Sequence, residues 1–146
     1  MSFSNAAETA ILALLFNNTG YANIGDATGL PGAATAGVFY IRLHTADPGE
    51  GGAQNTSEIS YTGYAAVSVA RSGAGWSVSG NTVSNVGAVT FGACTAGSGT
   101  ATHFSIGTAA TGAGNLLLSG ALTGSLAISA GITPSFSAGQ LQASLD

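Results

Sequence analysis

The chain has 146 residues, which fits one domain, and a formal net charge of −4 with two arginines, Arg42 and Arg71, and no lysine. Charged residues make up 5% of it, against about 25% in an ordinary soluble domain. Without clustered cations there is no surface to hold nucleic-acid phosphate or an anionic lipid headgroup, so neither is an expected partner.

The opening Met1-Ser2-Phe3-Ser4-Asn5-Ala6-Ala7-Glu8 has no basic residue and does not read as a signal peptide. Asn5 followed by Glu8 predicts a capped helix start. Ala7, Ile11, Leu14 and Leu15, at i, i+4, i+7 and i+8, predict an amphipathic helix that ends at Asn17-Asn18-Thr19-Gly20, with Gly20 suited to a left-handed terminus. Its apolar run, Ala10 to Phe16, is far shorter than the ~18 residues of a membrane span. A Gly/Ala-rich connection containing Pro31 follows, so residues 1–37 are expected to form the helix and its connection and 38–146 a β-sandwich domain.

Val38 to Thr45 alternates, with Phe39, Ile41 and Leu43 on one face and Tyr40, Arg42 and His44 on the other. It runs into a turn-rich loop, Asp47-Pro48-Gly49-Glu50. Tyr64 to Arg71 alternates again. Trp76-Ser77-Val78 and Thr82-Val83-Ser84 flank Ser79-Gly80-Asn81, the mark of a hairpin. Short strand patterns recur at Val89-Thr90-Phe91, Thr102 to Ile106, Leu116-Leu117-Leu118 with Ala121-Leu122, Leu126-Ala127-Ile128, Ile132 to Phe136, and Leu141 to Leu145. Turn signals every ~8–12 residues suit a sandwich or barrel. The fold expected is all-β: an antiparallel β-sandwich, jelly-roll-like, of about eight to ten strands in two facing sheets, preceded by one amphipathic α-helix.

Chemistry-bearing residues are few. His44 and His103 have no Cys or Asp at a metal-ligand spacing, and each is expected to bond a neighbour, pairing across adjacent strands being one arrangement. Asp47, Glu50 and Glu58 read as solvated or turn-capping carboxylates. Calcium binding and acid–base glycan cleavage are the alternatives, against which stand the missing Asp/Asn-rich spacing and the missing aromatic sugar platforms. Ala96-Gly97-Ser98-Gly99 does not fit a nucleophile elbow, and the Gly-rich stretches 72–75 and 107–114 lack the lysine and following helix of a phosphate loop. Cys94 has no partner for an intrachain disulfide and reads as a small buried hydrophobe. No catalytic residue, metal or cofactor is expected.

What remains is assembly. Low charge lets copies pack without like-charge repulsion. The candidate contact residues are Ile11, Leu14, Leu15 and Phe16 on the helix, whose stripe either docks on a neighbour or covers the subunit's own core. Arg42 and Arg71 join them as the only cations free to pair with an acid, and which acid is not readable.

Several phrases also resemble a family of small bacteriophage virion proteins, commonly labelled tail fibre or structural protein. They are Tyr40 to Glu50, Tyr61-Thr62-Gly63-Tyr64-Ala65, Thr102 to Ala109, Gly114 to Leu122, and Phe136 to Asp146. The resemblance covers nearly the whole chain, with one departure at Ala66, where family members often have arginine. It implies a non-enzymatic virion structural protein made in a bacterial host's cytoplasm. The capsid surface is preferred to the tail: a capsid decoration (cement) protein, homo-oligomeric as a trimer and bound to the major capsid protein. A tail fibre or tail-associated host-binding protein, contacting tail proteins, is the alternative, and a glycan-binding or glycan-cleaving module is a second one.

Overall fold

The computed structural model describes residues 2–26 and 28–145. One helix, α1 (Asn5–Phe16), precedes nine strands: β1 (Val38–His44), β2 (Val67–Ala70), β3 (Trp76–Ser79), β4 (Thr82–Asn85), β5 (Val89–Thr90), β6 (Ser98–Gly107), β7 (Leu116–Ser129), β8 (Ser135–Phe136) and β9 (Gln142–Ser144). All pairings between strands are antiparallel. The fold is the all-β, sandwich-like arrangement expected, with its single helix in front. The strands form a four-stranded sheet ordered β2-β1-β6-β7, a three-stranded sheet β3-β4-β9 and a two-stranded sheet β5-β8. Instead of two sheets there are three, because β5 is cut off by Gly87 and Gly92 and β8 by Pro134, which cannot donate to a ladder.

One core serves all three sheets and the helix. Phe39, Ile41 and Leu43 of β1 point into it, as their alternation predicts, beside Phe104 and Ile106 of β6, Trp76 of β3 and Val83 of β4. The hairpin between β3 and β4 has the two-residue turn Gly80-Asn81, Ser79 lying opposite Thr82. Gly80 sits at φ 59°, a left-handed value that glycine adopts without steric cost at the first central position of such a turn.

The helix departs from its expected cap and face. Ser4, not Asn5, is the N-cap, its hydroxyl accepting from Ala7 N at 3.3 Å. Glu8 therefore lies one residue too far along to close a capping box. The inward stripe is Glu8, Leu12 and Phe16, all buried, instead of Ala7, Ile11 and Leu14. Ile11 to Phe16 is apolar nearly all round, so periodicity alone leaves the rotation open; an aromatic pocket settles it. Phe16 meets Phe39 and Trp76 edge-on at centroid distances of 5.2 and 5.1 Å, a geometry the ring quadrupoles favour.

At the other end Asn18, not Gly20, takes the left-handed position, with φ 55°. Thr19 N there donates to Ala13 O at 3.0 Å. Arg71, just past β2, satisfies carbonyls that the helix leaves over: it donates to Leu14 O at 2.6 Å, to Leu15 O and to Ala36 O at 3.1 Å. Its guanidinium also lies 6.0 Å from the Phe39 ring centroid, within cation–π range. Arg71 thus joins helix, connection and sheet, and has no acid partner among the described residues.

β7 joins the segments expected separately, Leu116-Leu117-Leu118 with Ala121-Leu122 and Leu126-Ala127-Ile128, into one strand. It runs unbroken from Leu116 to Ser129, but its pairing with β6 jumps from Ala101↔Leu126 to His103↔Ala121. Leu122 to Ser125 therefore form a bulge opposite Thr102, an excursion within one strand.

Candidate functional site

The residues that carry chemistry gather on the second face of β1. Arg42 and His44 point away from the apolar core, yet both are 0% exposed, because two loops cross over them, one before Ile59 and one joining β6 to β7. Arg42 Nη1 donates to Glu58 Oε2 at 3.2 Å and to Gly112 O at 2.8 Å, and Nη2 to Ala109 O at 2.6 Å. Glu58 Oε1 accepts from the Tyr64 hydroxyl at 3.0 Å, and the Tyr64 hydroxyl oxygen in turn accepts from Leu43 N at 3.0 Å. Burial foremost, then the adjoining Glu58 carboxylate, pushes the Tyr64 phenol well above its usual range, so it stays protonated and keeps donating.

Gln54 fastens the same two loops from the side. It is fully buried; its Oε1 accepts from Ala109 N at 2.9 Å, and its backbone N donates to Ala113 O at 2.7 Å. Gly107 and Gly114 lie flat against its amide, where a Cβ on either would overlap the side chain. Glycine at both positions of the 107–114 stretch thus permits this close approach.

His44 has its own partners. Thr56 offers only a carbonyl, 2.8 Å from Nδ1, so Nδ1 is the donor and Nε2 accepts from Ser105 Oγ at 2.7 Å. His103 lies opposite His44 in the β1–β6 register, but its Nδ1 pairs with Thr102 Oγ1 at 2.9 Å, so the two histidines do not bond each other. Burial pushes the His44 imidazole below its usual range, outweighing the Thr56 hydrogen bond and the Glu58 charge that pull the other way. An unfolded chain then binds the proton that the folded one refuses. Stability contributed by neutral His44 is complete above the unfolded pKa of about 6.5 and is lost as pH falls toward the depressed folded value. The urea midpoint is expected to fall between about pH 6.5 and 5 in the wild type, and to fall less in His44→Gln. Parallel profiles for the two proteins would remove His44 as the cause.

The three loop carboxylates do not act together. Asp47 Oδ1 caps its own turn by accepting from Gly49 N at 2.9 Å. Glu50 is exposed beside Leu116 and Leu145. Glu58, expected to be solvated or turn-capping, is instead the half-buried partner of Arg42. No group of three or more His, Cys, Asp or Glu among the described residues could hold a metal ion. Cys94 is buried, its thiol 3.5 Å from the carbonyls of Ala96 and Gly97.

Of the residues expected at an interface, Phe16 and Arg42 have no exposed surface to offer a neighbour. Core packing takes the first, and loop carbonyls with Glu58 take the second. Arg71 is half-buried on helix carbonyls, and Leu15 packs against the core. Ile11 and Leu14 keep partial exposure. Sequence reading did not pick out Tyr64, Gln54 and Ser105 as parts of a polar network, since uncharged residues carry no local sign of what they will bond. An open cleft of about 450 Å³ borders Glu58, Tyr64, Thr111 and Gly112.

Charge is also unevenly divided. From Ser72 to Leu145 there is no Asp, Glu, Lys or Arg, so every ionic side chain in the described residues belongs to the first half. The exposed ones are Asp26, Asp47 and Glu50, all acidic. The arrangement is a brace: Arg42, Glu58, Tyr64 and Gln54 bond one another and loop backbone groups, which fixes loop positions.

A family model described as Podophage GP4 fiber I protein gp80 matches residues 2–144. No curated protein sequence matches the chain.

Proposed function

We propose, on the premise that the chain belongs to the Podophage GP4 fiber I protein gp80 family, that this phage structural protein is a non-enzymatic, homo-oligomeric component of a tail fibre or tail-associated fibre. The observation that carries the reading is the reach of the family match, which spans residues 2–144 with a family described as a fibre protein. Capsid decoration, the position preferred from the sequence, gains nothing from a fibre family. The site fits a structural role: Arg42, Glu58 and Gln54 hold loops in place, and the near-absence of charge suits a subunit enclosed by neighbours.

Immunogold labelling of purified virions, read with the intensity of the 14.1 kDa band, tests the position. Label on tail fibres, with a band much weaker than that of the major capsid protein, is the expected result. Even label over the head, with a band of capsid-like intensity, would establish the decoration reading and overturn this one.

A further inference from the structure

We propose that residues 49–57, one of the two loops crossing the second face of β1, form an acid-opened clasp, which neutral His44 holds shut and a proton on His44 releases while the apolar core stays folded. Hydrogen bonds, not hydrocarbon, keep the clasp closed. Neither 49–57 nor 108–114 contains a side chain more apolar than alanine, so both loops belong to the part of the fold that can open locally. Loop 49–57 is fastened by His44 Nδ1 on Thr56 O, by Thr45 N on Ser57 O at 2.8 Å and by Gln54 N on Ala113 O. Ser57 is held at φ 53°, a left-handed value that costs a residue with a Cβ and persists only where its surroundings enforce it. Gln54, carried on the same loop, in turn holds Ala109 N, so release of 49–57 also loosens 108–114.

Three of the chain's four basic side chains lie on this face. Arg42 and His44 alternate along β1, and His103 stands opposite His44 in the β1–β6 register, so all three project to one side. Facing them is a single carboxylate, Glu58, already bonded to Arg42. Tyr64 beside it stays protonated, and 108–114 brings no ionisable side chain. Arg42 and His103 both oppose a charge on His44, and with burial they outweigh Glu58.

Protonation also reverses a hydrogen bond. In the closed form Nε2 accepts from Ser105 Oγ; once protonated it must donate, and the Ser105 hydroxyl has to turn away. Ser105 is fully buried and its side chain makes no other hydrogen bond among the described residues, so its proton is stranded. Withdrawal of 49–57 relieves both penalties, because water then reaches the imidazolium and the hydroxyl. The sign follows from the lowered pKa of the closed form: closure is fully favoured above the open-form value of about 6.5 and weakens as pH falls below it.

Amide hydrogen exchange of the full chain at about pH 7.5 and 5.5, corrected for the intrinsic pH dependence of exchange, tests the clasp. Protection of the Gln54 and Ala109 amides is expected to fall about tenfold, the ratio of charged to neutral imidazole one unit below an ordinary pKa, while β1 and β6 keep theirs. His44→Gln, which retains a donor for Thr56 and an acceptor for Ser105 but takes no proton, is expected to lose none of this protection in acid. His103→Gln, at a half-buried position, is expected to lose less than the wild type. Unchanged loop protection in the wild type, loss shared equally by β1 and β6, or an equal loss in His44→Gln overturns the clasp. If His44→Gln fails to fold, His103→Gln decides, and an undiminished loss in it overturns the proposal.

Discussion

Arg42→Ala is expected to lower the unfolding free energy by about 3–5 kcal/mol, the range for removing one partner of a buried ion pair. Arg42 is 0% exposed, so its loss strands several groups at once. Glu58 keeps only the Tyr64 hydroxyl, while the carbonyls of Ala109 and Gly112 lose their donors. The loop from Thr108 to Gly114 is then expected to become the first protease-sensitive segment. Arg42→Met combined with Glu58→Gln is expected to recover part of the loss, since no uncompensated charge remains. Urea unfolding of the three variants reads both effects. A loss below about 1 kcal/mol for Arg42→Ala would mean the guanidinium behaves like an exposed pair, and the brace would not exist.

Phe16→Ala is expected to cost a similar ~3–5 kcal/mol, as large-to-small changes at buried aromatics do. The ring packs edge-on against both Phe39 and Trp76, so its loss removes two aromatic contacts and opens a cavity beside them. Without it, α1 is held by Leu12 and by Arg71 on its last carbonyls. Loss of helical signal ahead of the main transition is the second readout. Ile11→Ser and Leu14→Ser, at half-exposed positions of the same helix, are expected to cost less than half as much. Equal costs at all three positions would mean the buried face has been wrongly identified.

The strand positions, the hairpin at Gly80-Asn81 and the existence of one leading helix were legible in the amino-acid order. Each follows from alternation, helical spacing or turn chemistry among residues close together in the chain, and such preferences act before any tertiary contact forms. The same holds for the charge-poor composition that points to assembly. The face of α1, the acid that pairs with Arg42, the loops that close over β1 and the continuity of β7 through its bulge were decided only in three dimensions. Glu58 follows Arg42 by 16 residues, and Gly112, whose carbonyl Arg42 also holds, lies 70 away. Separations of that size leave no local pattern, because what brings the groups together is the packing of sheets and loops and not any preference of the segments themselves.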